Sequence, residues 1–237
     1  MSAKQPTAAF PLTTNGLVMP ADFPSAGYED LHKRVAQLHF KTGYEHFAGA
    51  WNGISYRFNA LADYDEAFTQ SISAHGPAPD PAERYRQERD LFGFFSNGFS
   101  TFESFFYGAF ALGALLQPGQ FALVTPSDQQ QVSPRRTIAA YERAFSGAPV
   151  IGRFQALVAN PGYIELREIR NVLTHRSAPG RTIHLSVGSD ETPPGQWKLA
   201  NISLDKSTTG DRRQNVVGIL SEALAALQEF AEATITV

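Results

Sequence analysis

Hydrophobic residues recur at helical spacing over most of the chain. From Tyr28 to about Ser73 they return every three to four residues, apart from one six-residue gap between Leu38 and Tyr44. This spacing is typical of one buried face of an α-helix. The segment 75–81 then contains three prolines and a glycine, which end a helix. The pattern therefore predicts a long first helix over about 28–73.

A second long helix is predicted from about Ala82 to Leu116. Its first turns are charged, whereas residues 99–116 are apolar nearly all round, which predicts burial on several sides. The most apolar segment, Phe105–Leu116, has 12 residues and is too short to span a bilayer. We therefore expect a buried core helix and no membrane association.

Shorter elements follow. Residues 118–132 have the composition of a polar loop, and Ser133-Pro134 has the form of an N-cap followed by proline at the first helical position. This pair predicts a short helix that continues to Phe145. Further helices are predicted over about 149–158 and from Pro161 to near Ala178, where a proline and a glycine follow.

The pattern changes to β-type alternation near residue 182. Two alternating segments, 182–187 and 196–204, are joined by turn residues and predict a β-hairpin. A final amphipathic helix is predicted over about 209–234. Residues 1–27 contain four prolines with little periodicity, and we expect an extended or disordered lead-in.

These elements predict a mainly α fold. Long helices joined in this order bury their apolar stripes best in an up-and-down bundle of about four, with short extra helices. One β-hairpin, at about 182–204, precedes the last helix. Because a two-stranded hairpin is marginally stable alone, it should lie against the bundle or a partner. Residues 28–237 are expected to form a single domain.

Composition excludes several kinds of site. The 237 residues include no cysteine, so disulfides, thiolate catalysis and cysteine–zinc sites are excluded. His32, His39 and His46 fall at intervals of seven, about 10 Å apart along a helix, which is too far for one metal. We expect no metal and no cofactor. A cysteine-free chain fits a reducing compartment, and residues 1–27 lack a secretory pattern, so we expect a cytoplasmic protein.

Positive charge is concentrated in one part of the chain. Residues 133–181 contain eight arginines, no lysine and three acids, a net charge of +5. Because the whole chain carries −3, the remainder carries −8. This asymmetry indicates a local basic surface, although solvated arginines on amphipathic helices give the same pattern.

The candidate chemistry lies at the end of this basic region. Arg170 and Asn171 are adjacent, and His175 follows in the last turn of a predicted amphipathic helix. Arginine offers a permanent planar charge that fits phosphate, and histidine exchanges protons near neutral pH. Residues four apart share a helix face, so Arg167, Asn171 and His175 line up. Such residues are able to cleave a phosphodiester without a metal.

Arg170 and His175 do not lie on the same face of an ideal helix. Arg170 lies five residues before His175, about 140° away around an ideal helix. Arginine is long, however, so both side chains can reach one phosphate at the edge of a groove. Glu103, a lone acid in the apolar half of the second helix, could orient either side chain across the bundle. A structural alternative pairs Arg170 with Glu165 or Glu168.

The run from Arg170 to His175, within this helix order, resembles the HEPN family. These are helical bundles with the signature Arg-x4-6-His and a polar residue, often asparagine, next to the arginine. The similarity covers residues 28–234 as helix order and only the short run as motif. It implies a metal-independent endoribonuclease of toxin or defence type that dimerises, so that two motifs flank one cleft.

The resemblance also implies residue roles. His175 acts as general acid or base on the ribose 2′-OH and the leaving oxygen, and Arg170 holds the scissile phosphate and stabilises its charge. Asn171 orients the histidine or the phosphate, and Arg167 and Arg176 add positive charge for substrate binding. The implied partners are a second copy of the chain, an RNA substrate, and an antitoxin or other protein. The alternatives are a non-catalytic HEPN-like module that binds a protein, nucleotide or RNA, and a helical scaffold with an accidental motif.

Overall fold

The computed structural model describes residues 16–175, 178–182, 196–199 and 202–235. These residues form a mainly α fold with short strands before the last helix, which confirms the predicted fold class. The elements are α1 (Ser25–Val35), α2 (Tyr44–His75), α3 (Pro81–Leu116), α4 (Pro126–Gln130), α5 (Pro134–Ala144), α6 (Pro149–Ala159), α7 (Pro161–His175), β1 (Gly180–Thr182), β2 (Gln196–Leu199), β3 (Ile202–Ser203) and α8 (Thr208–Thr234).

The first predicted helix is divided in two. α1 ends at Val35, a 3₁₀ turn over Ala36–Leu38 follows, and α2 begins at Tyr44. Gly43, before α2, has φ of 93°, a left-handed conformation that glycine adopts at no steric cost. The prediction of one continuous helix is wrong here, and the six-residue gap in the hydrophobic pattern marks the break.

The pair α2 and α3 forms the centre of the fold. α3 packs against α2, α5, α7 and α8, so it buries side chains on several sides, as its composition predicts. Gly108 permits close contact, because a Cβ there would lie 3.3 Å from the Trp51 ring. In the described part of the chain, α3 alone is long and apolar enough to cross a membrane, and 72% of its most apolar window is buried within the fold.

The start of α5 follows the predicted capping pattern. The Ser133 hydroxyl accepts a hydrogen bond from the Arg136 N–H at 3.3 Å, and Pro134 occupies the first helical position. The Thr137 hydroxyl donates to the Phe106 carbonyl of α3 at 3.3 Å. These contacts place the N-terminus of α5 beside the middle of α3.

The β region is a three-stranded antiparallel sheet in the order β1-β2-β3. Arg181 of β1 lies opposite Trp197 of β2, and Lys198 lies opposite Ser203 of β3. The predicted second strand, 196–204, is therefore two strands, since the chain reverses between β2 and β3. The predicted turn and most of the first predicted strand lie outside the described residues.

The described end of the predicted lead-in is packed on the bundle. The Phe23 side chain is buried, and its ring lies 5.1 Å from Tyr28 and 5.0 Å from Phe58, measured between centroids. The Asp22 carboxylate accepts two hydrogen bonds from Arg213 of α8, at 2.6 and 2.8 Å. Residues 1–15 lie outside the described residues.

Candidate functional site

α7 packs on α3 through the apolar face that the sequence predicts. Tyr163, Leu166 and Ile169 are buried, and Val172 and Leu173 pack against the core at its edge. These positions recur at steps of three and four, so they form one stripe along the helix. The polar candidates therefore occupy the rest of the helix surface.

Arg170 is fixed by three groups at the edge of this contact. Its Nη2 donates to Glu103 Oε1 at 2.6 Å, and its Nη1 donates to Asn171 Oδ1 at 3.1 Å. The guanidinium carbon lies 4.7 Å from the centre of the Phe99 ring, a cation–π distance. The Arg170 side chain is 22% exposed. The head group is thus held at a solvent-open edge and lies outside the apolar interior.

Glu103 is the acid that organises this edge. Its Oε1 accepts from Arg170, and its Oε2 accepts from the Ser100 hydroxyl at 2.8 Å. The alternative pairing of Arg170 with Glu165 is not the one adopted, since Glu165 accepts from Arg212 at 2.7 Å. Arg170 therefore depends on a residue 67 positions earlier in the chain.

The other predicted residues are placed differently. His175 is the last residue of α7 and is exposed, and no hydrogen bond joins it to Arg170 in the described ranges. Arg167 is exposed and lines a groove described below. Arg176 lies outside the described residues. The structure thus brings Arg170, Asn171 and Glu103 into direct contact and leaves His175 at the open end of the same helix.

A groove between α3, α5, α6 and α7, here called the α5–α7 groove, adjoins Arg170. It encloses about 660 Å³ and is lined by both charged and apolar side chains. Burial raises the pKa of Tyr163, one of these side chains, to about 12, while the charge of Arg167 acts in the opposite direction. The phenol is therefore neutral at physiological pH. The lining residues include Phe99, Glu103, Arg135, Ile138, Glu142, Val158, Tyr163 and Arg167.

A second concave region, here called the Arg57 pocket, is also lined by Glu103. It encloses about 390 Å³ between α2, α3 and the start of α5. Glu103, Ser133 and Pro134 line both regions, so the two adjoin. Partial burial lowers the pKa of Arg57, and the negative charge of Glu103 opposes this effect.

Sequence reasoning identified Glu103 as a possible support but missed Arg57. Arg57 belongs to no motif and lies outside the basic region of the chain. The one local signal is Gly53, which stands one helical turn before it. Arg135 was counted in the basic region, but its place in a groove depends on how α5 packs.

In the described ranges, no group of three or more histidines, aspartates or glutamates is placed to hold a metal ion. His32 is buried against Phe47, and the ring of His46 contacts the Tyr107 hydroxyl at 3.2 Å. His32 and His46 therefore differ in environment.

The arrangement can bind a phosphate and transfer a proton. A fixed guanidinium at a groove edge suits an anionic oxygen, and an exposed imidazole can act as acid or base.

A scan against protein-family models and searches of curated proteins and solved structures find no match for this chain.

Proposed function

We propose that the protein is an HEPN-like, metal-independent endoribonuclease in which Arg170 binds the scissile phosphate and His175 transfers protons. The observation that carries the proposal is the fixed position of Arg170, between Glu103, Asn171 and Phe99, at a solvent-open edge. A charge positioned before the substrate arrives stabilises the transition state without further reorganisation.

The proposed reaction is cleavage by the RNA's own 2′-hydroxyl. A histidine removes the 2′-OH proton, the oxygen attacks phosphorus, and the bond to the 5′-oxygen breaks as that oxygen receives a proton. The products are a 2′,3′-cyclic phosphate and a free 5′-hydroxyl. In a homodimer, two copies of α7 would flank one cleft, and two histidines would share the acid and base roles.

The α5–α7 groove supports an RNA substrate. Arg135 and Arg167 line it together with Glu103 and Glu142, and arginine contacts to the phosphate backbone supply a large share of the affinity for nucleic acid. Its lining also contains aliphatic side chains, among them Ile138 and Val158, and an apolar lining with a few charged groups is typical of ligand-binding clefts. The groove meets Arg170 through the shared contacts with Glu103.

The ion pair with Glu103 favours a second candidate function. It balances the charge of Arg170 at 2.6 Å, so a phosphate must compete with a carboxylate that already occupies the guanidinium. In this second candidate, Arg170 has a structural role, and the protein binds a protein, nucleotide or RNA partner without cleaving it. Both candidate functions are compatible with a cognate antitoxin or another protein partner.

RNA cleavage in the presence of a chelator separates the two candidates. We expect wild-type protein to cut unstructured RNA in EDTA and the His175→Ala variant to lose at least 100-fold of that activity, because the proton-transfer group is removed. His75→Ala is the matched control, since His75 is exposed and is the last residue of α2. Circular dichroism checks that both variants are folded.

Two outcomes would contradict the nuclease proposal. One is intact RNA under all conditions, which together with retained RNA binding would indicate the binding module. The other is equal activity of wild type and His175→Ala. Light scattering tests the dimer separately: we expect about twice the chain mass of 25.9 kDa, and a clean monomer at micromolar concentration would exclude the shared cleft.

A further inference from the structure

We propose that the Arg57 pocket is a phosphate-binding site, separate from the contact of Arg170 with Glu103. The proposal goes beyond cleavage, since it requires only binding. The Arg57 side chain is partly buried and lines a concave pocket. Its five N–H donors meet no acceptor at hydrogen-bond distance in the described part of the chain, although arginine is normally paired when it is desolvated.

Glu103 does not supply the missing acceptor. It is the acid nearest enough to influence Arg57 electrostatically, but both of its carboxylate oxygens are engaged, one by Arg170 and one by Ser100. Its negative charge opposes an incoming anion, and Arg170 offsets that charge at 2.6 Å. The guanidinium of Arg57 thus keeps its donors available to a ligand.

Ser104 provides a second, independent indication. Its side chain is 4% exposed, its Oγ is fully buried, and no hydrogen-bond partner contacts that oxygen. Buried polar groups in folded proteins are nearly always satisfied. Ser104 lines the same pocket as Arg57, so we infer that one ligand contacts both groups.

Gly53 brings these two groups together. A Cβ on Gly53 would lie 2.8 Å from Arg57 Nη1 and 2.9 Å from Ser104 Oγ. The two polar atoms are therefore at most 5.7 Å apart, the sum of these distances. Two oxygens of one phosphate can accept from donors at such a separation, because each hydrogen bond spans about 2.7–3.0 Å.

The shape and charge of the pocket favour a tetrahedral oxyanion. Guanidinium offers a planar fork that matches phosphate oxygens. The 11-residue helix α5 begins at the pocket with Ser133 and Pro134 in the lining, and a helix N-terminus carries partial positive charge. Free phosphate, a terminal nucleotide phosphate and an internal phosphodiester share this chemistry.

Calorimetric titration with three probes tests the site and distinguishes these sources. The probes are inorganic phosphate, a 5′-mononucleotide and a dinucleoside phosphodiester, each in chloride buffer. We expect saturable binding of at least one probe and a loss of at least tenfold in its affinity in Arg57→Gln. Arg153→Gln is the matched control, because Arg153 is exposed on α6 and lines neither concave region, and its affinity should equal that of wild type.

Gly53→Ala tests the positioning of Arg57 without removing its charge. The new Cβ would lie 2.8 Å from Arg57 Nη1 and 2.9 Å from the Oγ of the buried Ser104, so both groups must shift. We expect weaker phosphate binding by a variant that circular dichroism shows to be folded. A folded Gly53→Ala variant with wild-type affinity would overturn the positioning role.

The proposal is overturned if none of the probes binds wild-type protein saturably, or if Arg57→Gln binds as tightly as wild type. Binding is the only readout, so this failure is distinguishable from failure of the nuclease proposal. Phosphate binding without RNA cleavage would retain the site and reject the enzyme. RNA cleavage without phosphate binding by the Arg57 pocket would support the nuclease proposal and reject the phosphate site.

Discussion

Two arginine sites beside α3 differ in how completely their charge is balanced. Near the start of α3, the Arg181 side chain is 6% exposed and interacts with Glu88 at 3.4 Å and with Gln87 at 3.2 Å. Near the middle of α3, Arg57 and Arg170 share one acid, Glu103. That acid accepts one hydrogen bond from Arg170 and one from Ser100, and Arg57 has no hydrogen-bond partner in the described ranges.

The difference separates a structural arginine from arginines available to a ligand. Arg181 also donates to the Pro77 carbonyl at 2.6 Å and lies 3.6 Å from the centre of the Trp197 ring. These contacts join β1 and β2 to the α2–α3 connection and engage the Arg181 side chain on several sides. Arg57 lines a concave pocket and Arg170 lies at a solvent-open edge, so an anion can approach both.

The largest effect is expected at Arg181. Arg181→Gln removes a buried charge from its partners and the stacking on Trp197, so we expect a loss of about 3 kcal/mol in the free energy of unfolding. Urea denaturation measures this change. RNA cleavage by the folded fraction should stay at the wild-type level, and a selective loss of cleavage with unchanged stability would contradict the structural assignment.

Arg170→Gln should give the opposite result. Removing the group that contacts the scissile phosphate should lower cleavage by about 10²–10³-fold. The accompanying stability loss should be below about 1 kcal/mol, because the Glu103 side chain is 43% exposed and solvent screens the pair. Single-turnover cleavage and urea denaturation on the same preparation separate the two quantities, and a stability loss as large as that of Arg181→Gln would remove the contrast.

A smaller effect is expected from Glu103→Gln. The variant removes one negative charge beside Arg170 and Arg57, so RNA should bind more tightly, by up to about tenfold at low salt. The turnover rate should fall, because Arg170 loses its charged anchor. Binding and rate measured together test this role, since a purely structural glutamate would lower both through unfolding.

The smallest effect is expected from His32, whose burial contrasts with the exposure of His175. His32 is buried, whereas His175 is exposed, and burial lowers the pKa of His32 below 6.5. The unfolded chain therefore binds the proton more readily, and stability should fall as pH drops below about 6.5, by at most about 1.4 kcal/mol per pH unit. His32→Gln should flatten this dependence in urea denaturation between pH 7.5 and 5.5, and an unchanged slope would refute the assignment.

Local patterns predicted the helices but not the contacts between them. The Ser133-Pro134 start of α5 and the buried stripe of α7 follow from capping and periodicity. The break before Tyr44 depends on a short turn and Gly43, which appear in the pattern only as a gap. The reversal between β2 and β3 was missed because four- and two-residue strands are too short for alternation to be distinctive.

The candidate site was predicted only where its residues are close in sequence. Arg170, Asn171 and His175 were identified from one helix, but the pairing of Arg170 with Glu103 joins residues 67 positions apart. Arg57 is selected by packing alone, through the close approach at Gly53. The HEPN-like nuclease function stays a prediction.

A crystal structure of the His175→Ala variant with a 2′-O-methyl dinucleotide tests the central claim most directly, because the modified RNA cannot be cleaved through its 2′-oxygen. We expect the bridging phosphate to contact the Arg170 guanidinium, with residue 175 of one copy in the dimer facing the blocked 2′-oxygen. A dinucleotide bound elsewhere, with Arg170 still paired only to Glu103, would contradict the account.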